Sequence, residues 1–144
     1  MSSLLKDIYL DKKYEKMSWK EVAAAPASAI SGVSEQDGKD LKKAFGINTV
    51  KELAQNKYVL LAQGINFFSQ ASGVIFDKTF KSDDYEELRK KPVHVIAGIS
   101  RNDAVLLRRA FGIDTIQDLA ENKLIRIAQT ITTLAFLEEL ASQV

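Results

Sequence analysis

The chain has 144 residues, 46% of them hydrophobic and 27% charged, proportions of a soluble globular protein with room for one ordinary domain or two small ones packed together. Its 20 basic and 19 acidic residues leave a formal charge of +1, which excludes bulk electrostatic steering towards a phosphate backbone but not a local basic patch. The absence of cysteine excludes a disulfide framework, a thiolate metal site and a thiol nucleophile.

The opening stretch MSSLLKDIYLDKKYEK has no apolar run of signal-peptide length and mixes acid among its lysines. No segment approaches the roughly 18 apolar residues of a membrane span. A cytoplasmic setting without a membrane partner is therefore expected. Residues 3–9 read as a short helix with Leu4, Leu5 and Ile8 on one side, followed by a charged connector. Ser18-Trp19-Lys20-Glu21 forms a capping box, in which serine and glutamate each satisfy an amide at a helix start. Pro26 ends or restarts the chain after that helix. Ser34, with Asp37 three residues on, caps a helix that turns Leu41 and Phe45 inward, with Gly38 one turn earlier. Gly46 stops it in a positive-φ conformation, and Ile47 folds back on Leu41. Thr49, helped by Glu52, caps the longest helix. Its apolar positions are Val50, Leu53, Ala54, Tyr58, Leu61, Ala62, Ile65 and Phe68, and Val59, Leu60 and Phe67 widen the face. Asn56-Lys57 leaves open a kink or a brief interruption.

From Asp77 the same order returns at an offset of 66 residues. Asp84-Tyr85-Glu86-Glu87 takes the places of the first capping box, with Tyr85 in register with Trp19. Pro92, Ile96, Gly98, Ser100, Asp103, Leu107, Phe111, Gly112, Ile113 and Thr115 follow at the matching places. The second long helix runs through Ile116, Leu119, Ala120, Leu124, Ile127, Ala128, Ile131 and Leu134, with Ile125, Phe136 and Leu137 widening it. Such identity at one offset marks a tandem duplication, with repeats over 1–75 and 76–144 related by a pseudo-two-fold axis. The widened faces need a partner, so the repeats are expected to fold against each other through their long helices. Nothing alternates with a β period for more than a few residues, so the predicted fold is all-α.

The run Ile30-Ser31-Gly32-Val33-Ser34 with Gly38 and Leu41, and its counterpart Ile96-Ala97-Gly98-Ile99-Ser100 with Ala104 and Leu107, resembles a helix-hairpin-helix (SAM-like) unit. Over residues 26–56 and 92–122 the spacing is similar to the small N-terminal helical domain of recombinase-family proteins. The resemblance implies hairpin amides that receive a DNA phosphate, at Gly32, Val33 and Ser34 and at Gly98, Ile99 and Ser100. Amides at a helix start are donors and carry the positive end of the helix dipole. One departure is Ser34 or Ser100, where many DNA-binding hairpins have a second glycine. The candidate cations are Lys39, Lys42 and Lys43 in the first repeat and Arg101, Arg108 and Arg109 in the second. Glu35, Asp37 and Asp40 oppose a phosphate in the first, so the second hairpin is the better candidate.

Chemistry beyond binding finds no carrier. There is no Gly-rich phosphate loop, no metal-ligand spacing and no nucleophile–base set. His94 is the only histidine and lacks a partner, since Ser28 stands at its place in the first repeat. Asp83, Asp84, Glu86 and Glu87 suit the positive end of a helix. Trp19 and Tyr85 read as packing anchors rather than base-stacking platforms. The expectation is a non-catalytic interaction or assembly module that binds another protein or itself, without cofactor or small-molecule substrate. The alternative is sequence-independent DNA binding through the hairpins and their nearby Arg and Lys residues.

Overall fold

Short polar side chains placed just before apolar runs start most of the helices, and two glycines stop the central pair. The computed structural model describes residues 6, 8–75 and 83–143; these are helical, with isolated β-bridges and no strand. Helix α1 spans Trp19–Ala23, α2 Glu35–Phe45, α3 Val50–Ala54 and α4 Lys57–Ile75. Then come α5 Asp83–Arg89, α6 Arg101–Phe111, α7 Ile116–Glu121 and α8 Lys123–Ser142. Three-residue 3-10 turns lie at Lys12–Tyr14, Ala27–Ala29 and Val93–Val95.

Complete capping boxes open α1 at Ser18/Glu21, α2 at Ser34/Asp37, α3 at Thr49/Glu52, α6 at Ser100/Asp103 and α7 at Thr115/Asp118. The amides of Asn48 and Thr49 hold the Glu52 carboxyl below its ordinary value, because they favour its charged form. Gly46 and Gly112 close α2 and α6 at φ +70° and +68°. Ile47 and Ile113 then turn back, their amides donating to Leu41 and Leu107 oxygens at 3.4 Å.

Of the two readings left open at Asn56-Lys57, the interruption holds. Each long stretch is two helices, broken at Gln55-Asn56 in the first half and at Asn122 in the second. Asn56 Oδ1 accepts from the amides of Tyr58 and Val59 at 2.9 and 3.3 Å, and Asn122 Oδ1 from those of Leu124 and Ile125 at 3.0 and 3.1 Å. Restarting the helix resets its phase. Val59 and Ile125, expected off the main stripe, are therefore buried, whereas Leu61, expected on it, is half exposed at 50%.

Packing then crosses between the halves of the chain. α8 lies on α1 and α3, while α4 lies on α5 and α7; α2 crosses α6 between them. The long helices do not pair along their lengths as expected. They meet where Gln63 and Gln129 bond each other reciprocally at 2.9 and 2.8 Å. Each of these amides also donates to a short-helix carbonyl, Gln63 to Ala120 at 3.3 Å and Gln129 to Ala54 at 3.2 Å. Glu138, on α8, reaches across to accept from the α1 amides of Trp19 and Lys20 at 3.2 and 2.9 Å. It thus completes the start of a helix more than a hundred residues earlier.

One smaller expectation fails, and another falls mostly outside the described residues. Asp84 does not cap α5 but sits inside it, because the helix already begins at Asp83; the preceding cap position lies outside the described residues. Of the expected N-terminal apolar face, Leu4 and Leu5 lie outside the described residues and Ile8 is 56% exposed. Lys6 is buried instead, donating to the Met17 carbonyl at 2.6 Å with its ammonium over the Trp19 ring. Leu10 and Tyr14 of the charged connector enter the core.

The four positive-φ glycines should differ in cost. A β-carbon at Gly46 or Gly112 meets nothing within 4 Å, so Gly→Ala should cost on the order of 1 kcal/mol from backbone conformation alone. At Gly98 it would collide with the Tyr58 hydroxyl, on a ring held 5.0 Å from that of Phe45; at Gly32 the nearest atom is a Leu124 methyl at 3.4 Å. Urea denaturation should rank Gly98→Ala as the least stable of the four. Equal losses at all four sites would show that Tyr58 moves aside at no cost.

Candidate interaction clefts

The hairpin amides are the first place to look for a ligand, and most are already engaged. Val33 and Ile99 donate to the carbonyls of Ile30 and Ile96 at 3.0 and 3.1 Å. Ser34 and Ser100 donate to the carboxylates of Asp37 and Asp103, each at 3.0 Å. The serine hydroxyls in turn accept from the Asp37 and Asp103 amides at 3.0 Å. A carboxylate therefore occupies the end of each helix where a phosphate would sit, and its charge already interacts with the dipole there. Gly32 and Gly98 are exposed, at φ +98° and +99°. Their Cβ sides face Leu124 and Tyr58, residues that begin the long helices of the opposite halves.

The candidate cations do not converge on the hairpins. Arg109 spans the crossing of α2 and α6, where its Nε and Nη2 donate to Asp40 Oδ2 and Oδ1 at 3.0 and 2.6 Å. Asp40 is only 3% exposed, and Gln36 adds a third bond at 3.1 Å. Arg108 pairs with Asp114 at 3.3 Å, with both side chains largely exposed. Lys39, Lys42, Lys43 and Arg101 are exposed.

Four of these residues line a pair of matching surface clefts that sequence reasoning missed. The first, of about 300 Å³, lies between the Ala27–Ala29 turn and the outer side of α2, with Glu35, Gly38, Lys39, Lys42, Ile47 and Asn48 on its walls. The second, of about 360 Å³, is lined at the same offset by Arg101, Ala104, Val105, Arg108, Ile113 and Asp114. Pro26 and Pro92 stand at matching places, as do Ser28 and His94. His94, unassigned from sequence, is thus a wall residue of the second cleft. The available signal was the recurrence of Pro-x-Ser/His and of the helix positions one turn apart.

The two clefts share geometry but not chemistry. Glu35 of the first is replaced by Arg101 in the second, and Lys39 by Val105, which is 61% exposed. Each cleft thus carries two cations and one carboxylate, Glu35 in the first and Asp114 beside Arg108 in the second, and the second adds the apolar wall of Val105. Among the described residues no group of His, Asp and Glu is arranged to hold a metal ion, and no helix is long and apolar enough to cross a membrane. Comparison with family models, with curated proteins and with solved structures gives no match.

The Arg109 pair makes stability depend on pH. Bonding to Arg109, and then to Gln36, holds the Asp40 carboxyl below its ordinary value. A depressed folded-state pKa contributes stability that is full above the unfolded value, about 3.9, and is lost as pH falls through the folded one. Asp40→Asn should therefore be less stable than wild type at neutral pH, with the gap narrowing below about pH 4. Urea midpoints across that range check this, and a gap independent of pH would remove the pair from the acid response.

Proposed function

We propose that the chain is a non-catalytic helical interaction or assembly module, binding another protein or itself. In this reading it is a tandem pair of helix-hairpin-helix-like units with pseudo-two-fold symmetry. The repeated identities support that, as do the Gln63–Gln129 exchange and the two clefts at one offset. The observation that carries the functional reading is the use of the hairpin amides within the fold, with Asp37 and Asp103 at the helix starts. That arrangement disfavours phosphate. Meanwhile apolar side chains remain at the surface, with Phe136, Leu137 and Leu140 close together on α8 at 61%, 50% and 43% exposed. Exposed apolar groups that cluster mark surfaces for protein contact.

The alternative, DNA binding through the second hairpin, rests on Arg101 and Arg108. Titration of a labelled duplex at low salt separates the two. The interaction reading expects no steeply salt-dependent binding, and Arg101→Glu should change nothing measurable with DNA. Duplex affinity of about 10⁻⁴–10⁻⁶ M that falls with salt and is lost in Arg101→Glu would replace this reading with the alternative.

A further inference from the structure

We infer that the second cleft receives the last turns of α8 from another copy of the chain, in a head-to-tail contact. This rests on the interaction-module reading and names the partner. Along α8, Phe136, Leu137 and Leu140 are 61%, 50% and 43% exposed. Their spacing places them on one side of the helix. Glu138 and Glu139 lie beside them. Glu138 holds the start of α1, but Glu139 is 48% exposed, and its partner Lys20 is more exposed still. Such a surface pair holds its members weakly, so Glu139 can face a second cation. The stripe is thus apolar with an acid at its edge.

The second cleft has the complementary character. Pro92, Ala104, Val105 and Ile113 give it apolar lining, Val105 being exposed, and Arg101 is its cation clear of Asp114, which pairs with Arg108. In the first cleft Lys39 replaces the valine and Glu35 stands in the place of Arg101, leaving Lys39 and Lys42 as its cations. An α8 stripe presented there would lose the apolar wall and meet Glu35 where Arg101 would face Glu139. Only one cleft therefore fits, and it lies on a different surface from the stripe. A contact between two different surfaces leaves one of each free on a dimer, so further copies add until a ring closes or an open chain forms. A single small cleft gives a contact at the weak, transient end of interface sizes, so assembly should need high concentration.

The two halves supply variants that should fold. Arg101→Glu with Val105→Lys places in the second cleft the residues already present at 35 and 39. Phe136→Gln with Leu137→Ala places on α8 the residues at 70 and 71. Helix content and urea midpoint would confirm folding of each. Sedimentation velocity of the full chain over a concentration series should show growing species for wild type, reduced by added salt. Each double variant alone should weaken association by about tenfold or more. Mixed in equal amounts, they should form one-to-one dimers and nothing larger, since each retains the surface the other lacks. A wild-type chain that stays monomeric at every concentration overturns the inference but not the module reading, which still admits a different protein. A dimer abolished by the α8 variant and untouched by the cleft variant also overturns it, in favour of a symmetric contact between α8 helices.

Discussion

The apolar faces of α4 and α8 are wider than their own neighbouring short helices cover, and this constraint organises the molecule. A helix of nineteen or twenty residues that is apolar beyond one stripe must be buried on more than one side. Each long helix meets part of that demand on the short helices of the other half, α8 on α1 and α3 and α4 on α5 and α7, and leaves Leu61, Phe67, Phe136 and Leu137 half exposed or more. The halves are therefore not two units resting side by side. Each completes the other's core, and α2 packs on α6 across the halves. The Gln63–Gln129 amide pair joins the two long helices with bonds that satisfy both side chains and two helix-end carbonyls.

Much of the local structure was legible because it is written in single residues. Serine or threonine with an acid three places on marks a helix start by itself, and glycine before an apolar residue marks a stop. Gly46, Gly112, Ile47 and Ile113 behave as that chemistry requires. Legibility failed where the signal depended on phase or on distant partners. Asn56 signals an interruption in sequence without declaring itself a cap, and a stripe drawn through it as one helix places Leu61 inward and Val59 outward. Nothing within α1 announces that Glu138 completes its start, because that contact is created only by the long-range exchange. The clefts were hidden for a related reason. Their walls come from a turn, a helix face and the segment after a glycine, and only the fold brings the three together.

The halves keep different things. Most positions that serve backbone geometry are shared, whereas several that face the clefts or the α2–α6 contact diverge, Glu35/Arg101, Lys39/Val105 and Asp40/Leu106 among them. Asp40 faces Arg109, while the places matching them hold Leu106 and Lys43. A nearly buried carboxylate needs a cation, and a leucine does not, so this crossing distinguishes the two halves rather than treating them alike. Only the Asp40 side of this pair is buried, since the Arg109 side chain is 59% exposed, so solvent screens the bond that joins α2 to α6.

The capping carboxylates link stability to function in the same economical way. Asp37 and Asp103 each supply an acceptor for a hairpin amide and a negative charge at the positive end of a helix. These are the two attractions that would otherwise draw a phosphate. A hairpin can present its amides to an external anion or secure them with its own acid, but the same amide cannot do both at full strength. Here both hairpins hold the acid, including the second, where the neighbouring arginines would favour phosphate most. The arginines are consequently left to face the outer cleft, with Arg108 already beside Asp114 at its edge. The surface left there is partly apolar and shallow, with Asp114 already beside one of its two guanidinium groups.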